Sequence, residues 1–133
     1  QAAARHMQKP EVQEAGGGRI VNFGSVSGLR GRGELTVYGA SKAAVMNMTM
    51  SLAQDWAPSG IRVNALAPGQ FDTDMGEPVI GEPAKREAFI RRVPLGRVAR
   101  PEEIGALVVY LCAEASAYVT GSVFPIDGGL TLL

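Results

Sequence analysis

Tyr38 and Lys42 are the residues of this sequence that are best suited to do chemistry together. They stand four residues apart in the stretch Tyr-Gly-Ala-Ser-Lys, and residues at that spacing share one face of a helix. A tyrosine hydroxyl normally titrates near ~10, too high for a base at neutral pH. An ammonium group held close favours the phenolate and lowers such a pKa. The pair could therefore pass a proton to or from an oxygen, as general acid–base catalysis requires.

Ser25 is the third residue of this candidate site. It precedes Tyr38 by thirteen residues and ends a predicted strand, where open α/β sheets usually place their ligands. Its hydroxyl could hold a reacting carbonyl. The alternative is that Tyr38 and Lys42 form an ordinary helix-surface pair and that Ser25 is an ordinary turn residue. The residues around the pair are small: Gly39, Ala40, Ala43 and Ala44. Small residues let the helix approach another backbone or a flat ligand, which favours the catalytic interpretation.

The elements that must position these residues are strands alternating with helices. Apolar and β-branched runs predict strands at 19–24, 61–67 and 122–126. A long helix is expected at 37–56, a short one ending at Arg92, and a third beginning at Pro101. This alternation indicates a parallel sheet with crossover helices. We expect residues 1–133 to be one α/β unit, the C-terminal half of a Rossmann-like doubly wound domain with about three strands.

The long helix carries two apolar stripes. One consists of Val45, Met48, Leu52 and Trp56, and the other of Met46, Met50, Ala53 and Ala57. Two stripes imply burial on two sides, one against the sheet and one against a partner subunit. A thin sheet with an unpaired edge also promotes association. A homo-oligomer, either a dimer or a tetramer, is therefore expected.

Composition excludes several classes of function. Thirteen basic and thirteen acidic residues leave no net charge, so a nucleic-acid partner is not expected. No apolar run is long enough to cross a bilayer, and we expect no membrane partner. The single cysteine, Cys112, lies in an apolar run; it predicts a buried thiol and a reducing, cytoplasmic compartment. No metal site is predicted.

Several motifs follow one another in order along almost the whole chain. They are Asn22-Phe23-Gly24-Ser25, Tyr38 to Lys42, Arg62 to Gly69 (Arg-Val-Asn-Ala-Leu-Ala-Pro-Gly), Thr73-Asp74-Met75, Pro94-Leu95-Gly96-Arg97, Pro101-Glu102-Glu103, and Tyr118-Val119-Thr120-Gly121 through Asp127-Gly128-Gly129. In the identity, order and spacing of these motifs, the sequence resembles the classical short-chain dehydrogenases/reductases. Within them it looks most like the group containing 3-oxoacyl-carrier-protein reductases and sugar dehydrogenases.

The resemblance implies an oxidoreductase that moves hydride between NAD(H) or NADP(H) and a secondary alcohol or ketone. In that family Tyr38 would be the general acid/base, Ser25 would bind the reacting oxygen, and Lys42 would assist the tyrosine and hold the nicotinamide ribose.

The same resemblance implies further cofactor contacts after the second strand. They would involve Pro68, Gly69, Phe71 and Thr73, mainly through backbone groups and the threonine hydroxyl. Asn64 and Arg97 are expected to be structural, and the segment 71–93 to form a substrate lid.

The family's glycine-rich phosphate loop and catalytic asparagine are expected before Gln1 and are not in these 133 residues. A backbone loop and helix N-terminus of that kind hold the pyrophosphate. The alternative hypothesis is therefore a non-catalytic fragment or assembly module that lacks the dinucleotide-binding half. Intact Ser25, Tyr38 and Lys42 favour a catalytic parent protein.

Overall fold

Apolar runs form three strands, β1 (Gly18–Phe23), β2 (Ile61–Pro68) and β3 (Val123–Ile126). The computed structural model describes residues 1–132. The strands pair in parallel in the order β1-β2-β3, so the predicted parallel α/β sheet is confirmed. β2 is buried almost throughout, as expected of a strand covered on both faces.

Helices connect and flank these strands. Within residues 1–132 they are α1 (Ala2–Met7), α2 (Pro10–Glu14), α3 (Val26–Leu29), α4 (Thr36–Trp56), α5 (Glu77–Ile80), α6 (Pro83–Ile90) and α7 (Gly105–Cys112). The predicted long helix is confirmed as α4. The helix expected from Pro101 begins as a 3-10 turn, Pro101–Ile104, and continues as α7. α6 ends at Ile90, two residues before the predicted end.

α4 packs on the sheet through one face. Met46, Thr49 and Ala53 are buried there, and Met46 packs in a cluster with Ala65 of β2. Met50 is 40 % exposed, so its predicted place in the stripe of Met46 and Ala53 is wrong. A position four residues after Met46 lies about 40° further round the helix, and this rotation turns Met50 to the outside.

The core is divided between the two ends of the sheet. At the amino end of β2, Ile61 and Val63 are fully buried against Ala4 and Ala53. At the opposite end, a second cluster joins α5, α6 and the chain after them, through Ile80, Phe89, Val93 and Val98. The second cluster fixes the segment that was expected to form a lid.

Two expectations about the surface are corrected. Cys112 is exposed, because it is the last residue of α7 and only its neighbour Leu111 points into the core. The sheet was expected to have one unpaired edge. Because β2 is central, β1 and β3 each have an outer edge without a paired strand in residues 1–132.

Candidate active site

Ser25 lies two residues beyond Phe23, the last residue of β1, and caps α3. Its Oγ accepts a hydrogen bond from the Ser27 backbone N–H at 3.2 Å, a typical N-cap contact. The side chain is largely buried, with 7 % exposed. Because the cap uses the oxygen only as an acceptor, the hydroxyl hydrogen can still be donated to another group.

Tyr38 and Lys42 lie one turn apart at the start of α4. The Lys42 Nζ is 5.7 Å from the centroid of the Tyr38 ring, within the range of a cation–π contact. It also donates a hydrogen bond to the Phe23 carbonyl of β1 at 3.0 Å. Tyr38 is 39 % exposed, so its ring can meet a ligand. The ammonium group thus lies between the tyrosine and the strand that leads to Ser25.

Close packing brings the segment that follows Ser25 against α4, the helix that carries Tyr38. A Cβ placed on Gly39 would come within 2.7 Å of the Ser27 carbonyl oxygen, closer than such atoms approach in proteins. Glycine is therefore the residue that lets this turn of α4 touch the segment after Ser25. The structure brings Ser25, Tyr38 and Lys42 to one end of the sheet, as the sequence predicted.

The remaining predicted residues follow β2 at the same end of the sheet. Phe23 pairs with Leu66 in the register of β1 and β2. Ser25 and Pro68 each lie two residues beyond this pair, so they are at the same level of the sheet. Gly69 donates its backbone N–H to Ile126 of β3 at 3.0 Å. These contacts hold the turn after β2 beside the end of β3.

Phe71 and Thr73 differ in exposure. The Phe71 side chain is buried, and the residue forms a bridge with Ala99, so its ring is not exposed to a ligand. Thr73 is exposed and lies between Asp72 and Asp74. Arg86 binds Asp72 at 2.7 Å and, through this hydrogen bond, holds the pKa of the Asp72 carboxyl below its ordinary value. Arg86 thereby offsets part of the negative charge that a phosphate at Thr73 would meet.

A cavity of about 220 Å³ opens at the ends of β2 and β3. Its lining includes Gln70, Phe89, Val93, Ile126 and Asp127, so it lies between α6 and the turn after β3. Ser25, Tyr38 and Lys42 are not among its lining residues. The cavity therefore lies on the side of the expected lid and is lined by residues other than the three candidate catalytic ones.

Two residues that were expected to be structural make extensive contacts. Arg97 forms a two-pronged ion pair with Glu103, with N–O distances of 2.6 and 2.7 Å. Hydrogen bonds from Arg97 and from the Arg100 backbone lower the pKa of Glu103 to about 2. Asn64 is buried and bonds Val119 and Ser122.

The sequence interpretation missed the polar contacts inside the core. The Asn22 side chain of β1 donates to the Thr49 hydroxyl of α4 at 2.9 Å. Arg62 of β2 donates to the Leu111 and Ala113 carbonyls at the end of α7, at 3.2 and 3.1 Å, and burial lowers its pKa. A detectable signal existed, because each is a polar residue at a position where the strand or helix pattern expects an apolar one.

Among residues 1–132, no three His, Cys, Asp or Glu side chains are grouped as a metal site would need. None of the helices in the same range combines the length and the apolar character that a bilayer crossing demands.

The parallel sheet, with its candidate side chains beyond the strand ends, defines a doubly wound α/β protein. The family model described as enoyl-(acyl carrier protein) reductase matches residues 1–131, and the chain belongs to this family of short-chain dehydrogenases/reductases. The chain is 44% identical over 127 residues to the 3-oxoacyl-[acyl-carrier-protein] reductase of Thermotoga maritima, covering 95% of this chain and 50% of that protein.

Solved structures agree with this assignment. A gluconate 5-dehydrogenase from Burkholderia cenocepacia, in complex with NADP and tartrate, superposes with a TM-score of 0.90 at 35% identity. The match covers 99% of this chain and 50% of that one. A 4-hydroxyisoleucine dehydrogenase complexed with NADH gives 0.87 at 32% identity, covering 98% and 54%. The chain spans about half the length of the relatives it matches.

Proposed function

We propose that this chain forms the catalytic half of an NAD(P)-dependent oxidoreductase that interconverts secondary alcohols and ketones. The supporting observation is the convergence of Ser25, Tyr38 and Lys42 at the carboxyl end of the sheet. A family relationship to enzymes seen with NADP and with NADH supports the choice of cofactor. When bound, the nicotinamide supplies or accepts the hydride.

The residues present fit a nicotinamide nucleoside. Tyr38 is exposed and Lys42 holds three donor hydrogens beside it, of which the Phe23 carbonyl takes one. The other two can reach ribose hydroxyls. Pro68 and Gly69 end β2 next to the site, and Phe71 and Thr73 follow them. We assign the backbone of these residues and the Thr73 hydroxyl to cofactor contacts.

Each of the three side chains then has a defined task. Ser25 donates its hydroxyl hydrogen to the substrate oxygen and keeps it in place. Tyr38 gives a proton to that oxygen during reduction and takes it back during oxidation. Lys42 stabilises the negative charge that develops on the Tyr38 oxygen, since its ammonium group lies against the same ring. Because this ammonium group is already beside the ring before the reaction, charge stabilisation requires less reorganisation.

The proposals on location, oligomeric state and substrate class rest on the family relationship and on the exposed surface of α4. We propose a cytoplasmic homo-oligomer that acts on a small-molecule alcohol or ketone. Val37 and Met48 of α4 are 84 % and 47 % exposed, which supports subunit contact through this helix. We assign residues 1–133 to one half of a single Rossmann-type domain.

Turnover should be assayed on residues 1–133 joined to a dinucleotide-binding half, called here the completed protein. That half comes from the Thermotoga reductase, of which this chain matches 50%. Oxidation of NADH and NADPH is followed by absorbance with a panel of ketones. A completed protein that binds cofactor but reduces no ketone would favour the non-catalytic alternative.

Tyr38→Phe in the completed protein should reduce kcat by about 10²- to 10⁴-fold, the contribution of a general acid, while cofactor binding persists. Lys42→Ala should lower turnover and also weaken cofactor binding, measured by nicotinamide fluorescence. Tyr110→Phe is the matched control, because Tyr110 is a similarly exposed tyrosine on α7. Equal activity of Tyr38→Phe and Tyr110→Phe would refute the role of Tyr38.

A further inference from the structure

A polar contact joins β1 to α4 inside the core. Asn22 Nδ2 donates to Thr49 Oγ1 at 2.9 Å, and the Thr49 hydroxyl donates to the Val45 carbonyl at 2.8 Å. Thr49 is fully buried, with 0 % exposed. We propose that the Asn22–Thr49 hydrogen bond is a positioning contact that fixes Ser25 relative to Tyr38 and Lys42. This inference rests on the function proposed above.

Asn22 and Thr49 lie at equal distances, along their own elements, from the proposed catalytic residues. Asn22 is three residues before Ser25, a distance of about 10 Å along a strand. Thr49 is seven residues after Lys42, also about 10 Å along a helix. At 100° per residue, Tyr38, Lys42 and Thr49 fall within about 40° of one another on α4. A crossover helix runs antiparallel to the strands it connects, so the contact sets Ser25 level with Lys42.

Three consecutive residues of the chain leading to Ser25 touch α4. Asn22 bonds Thr49, the Phe23 carbonyl accepts from Lys42, and Gly24 lies so close that a Cβ would come within 2.7 Å of Met46 Cγ. Lys42 and Met46 are long, flexible side chains that can follow a shifted strand. Threonine is β-branched and restricted about χ1, so its bond to Asn22 is the contact that resists sliding.

Stability alone does not require this pair. A buried hydrogen bond adds about 1 kcal/mol net, and replacing both partners with apolar groups of similar shape can be nearly neutral. A directional bond differs from apolar packing because it specifies one register of strand against helix. That distinction separates a positioning role from a purely structural one.

The test compares four variants of the completed protein. Thr49→Val removes the hydroxyl at nearly constant shape, Thr49→Ser keeps it, and Asn22→Val with Thr49→Val makes the contact apolar on both sides. Thr120→Val is the control for loss of a threonine hydroxyl outside the site. The exposed Thr120 side chain accepts a hydrogen bond from the Val63 backbone N–H, with an N–O distance of 3.0 Å.

Thr49→Val should lower kcat about 10- to 100-fold, the effect of a displacement near 1 Å, with KM and cofactor affinity within about twofold. Thr49→Ser should restore kcat to within about threefold of the parent. The double variant should regain thermal stability while kcat stays low. If its kcat recovers together with its stability, or if Thr120→Val loses kcat equally, the contact is structural and the proposal is overturned.

A second measurement does not depend on turnover. The Ser27 amide donates to Ser25 Oγ, so its hydrogen exchange reports on the position of Ser25. We expect exchange to be about tenfold faster in Thr49→Val and in the double variant, and unchanged in Thr120→Val. An inactive parent would refute the proposed function, and unchanged Ser27 exchange in Thr49→Val would refute the positioning contact.

Discussion

Replacing Asn64 with alanine tests how β2 holds the chain that enters β3. Asn64 is only 1% exposed. Its Nδ2 donates to the Val119 carbonyl at 2.9 Å, and its Oδ1 accepts from the Ser122 backbone N–H at 3.1 Å. The substitution leaves the Ser122 backbone N–H without a partner, at about 1–3 kcal/mol when buried, while the Val119 carbonyl keeps a hydrogen bond from Arg62 at 3.3 Å. Because Ser122 is half-buried, water can reach its N–H, so we expect a loss at the lower end, about 1 to 2 kcal/mol in total.

The assay is urea unfolding of the completed protein, followed by circular dichroism. We expect a lower midpoint with an unchanged slope, because the loss is in the native state and not in the area exposed on unfolding. Asn47→Ala is the matched control, since Asn47 is exposed on α4 and such substitutions change stability by less than about 0.5 kcal/mol. A loss below about 1 kcal/mol for Asn64→Ala, or equal losses for the two variants, would show that these bonds do not hold the segment.

Two further predictions concern close packing and pH. Gly39→Ala should lower kcat by about tenfold or more, because its Cβ would press on the Ser27 carbonyl; Gly105→Ala, where an added Cβ meets nothing within 4 Å, should keep kcat and add about 0.5–1 kcal/mol of stability. Activity in Gly39→Ala equal to that of Gly105→Ala would contradict this. Because Arg97 holds the pKa of Glu103 at about 2, below its ordinary 4.5, the carboxylate stabilises the fold above pH 4.5, and this contribution is lost as pH falls towards 2. The melting temperature of Glu103→Gln should therefore lie below that of the parent at neutral pH and converge with it in acid; a constant difference would exclude the ion pair as the cause.

Much of the fold could be predicted because its signals are local. The β-branched runs of the strands and the apolar spacing of α4 predicted those elements to within two residues at their ends. Their alternation was enough to predict a parallel sheet. The errors occurred where burial depends on orientation and not on composition. Met50 and Cys112 are apolar residues on helices, and no local rule states which side of the helix the sheet will cover.

The sequence by itself determined that Tyr38 and Lys42 share one face, because a tyrosine and a lysine one helical turn apart do so whatever surrounds them. Only the tertiary structure decided how that face meets Ser25. The contacts that do so, from Asn22 to Thr49 and from Lys42 to the Phe23 carbonyl, join residues that are 27 and 19 positions apart. Their geometry depends on strand register and on the depth of helix packing, which are collective properties of the folded chain.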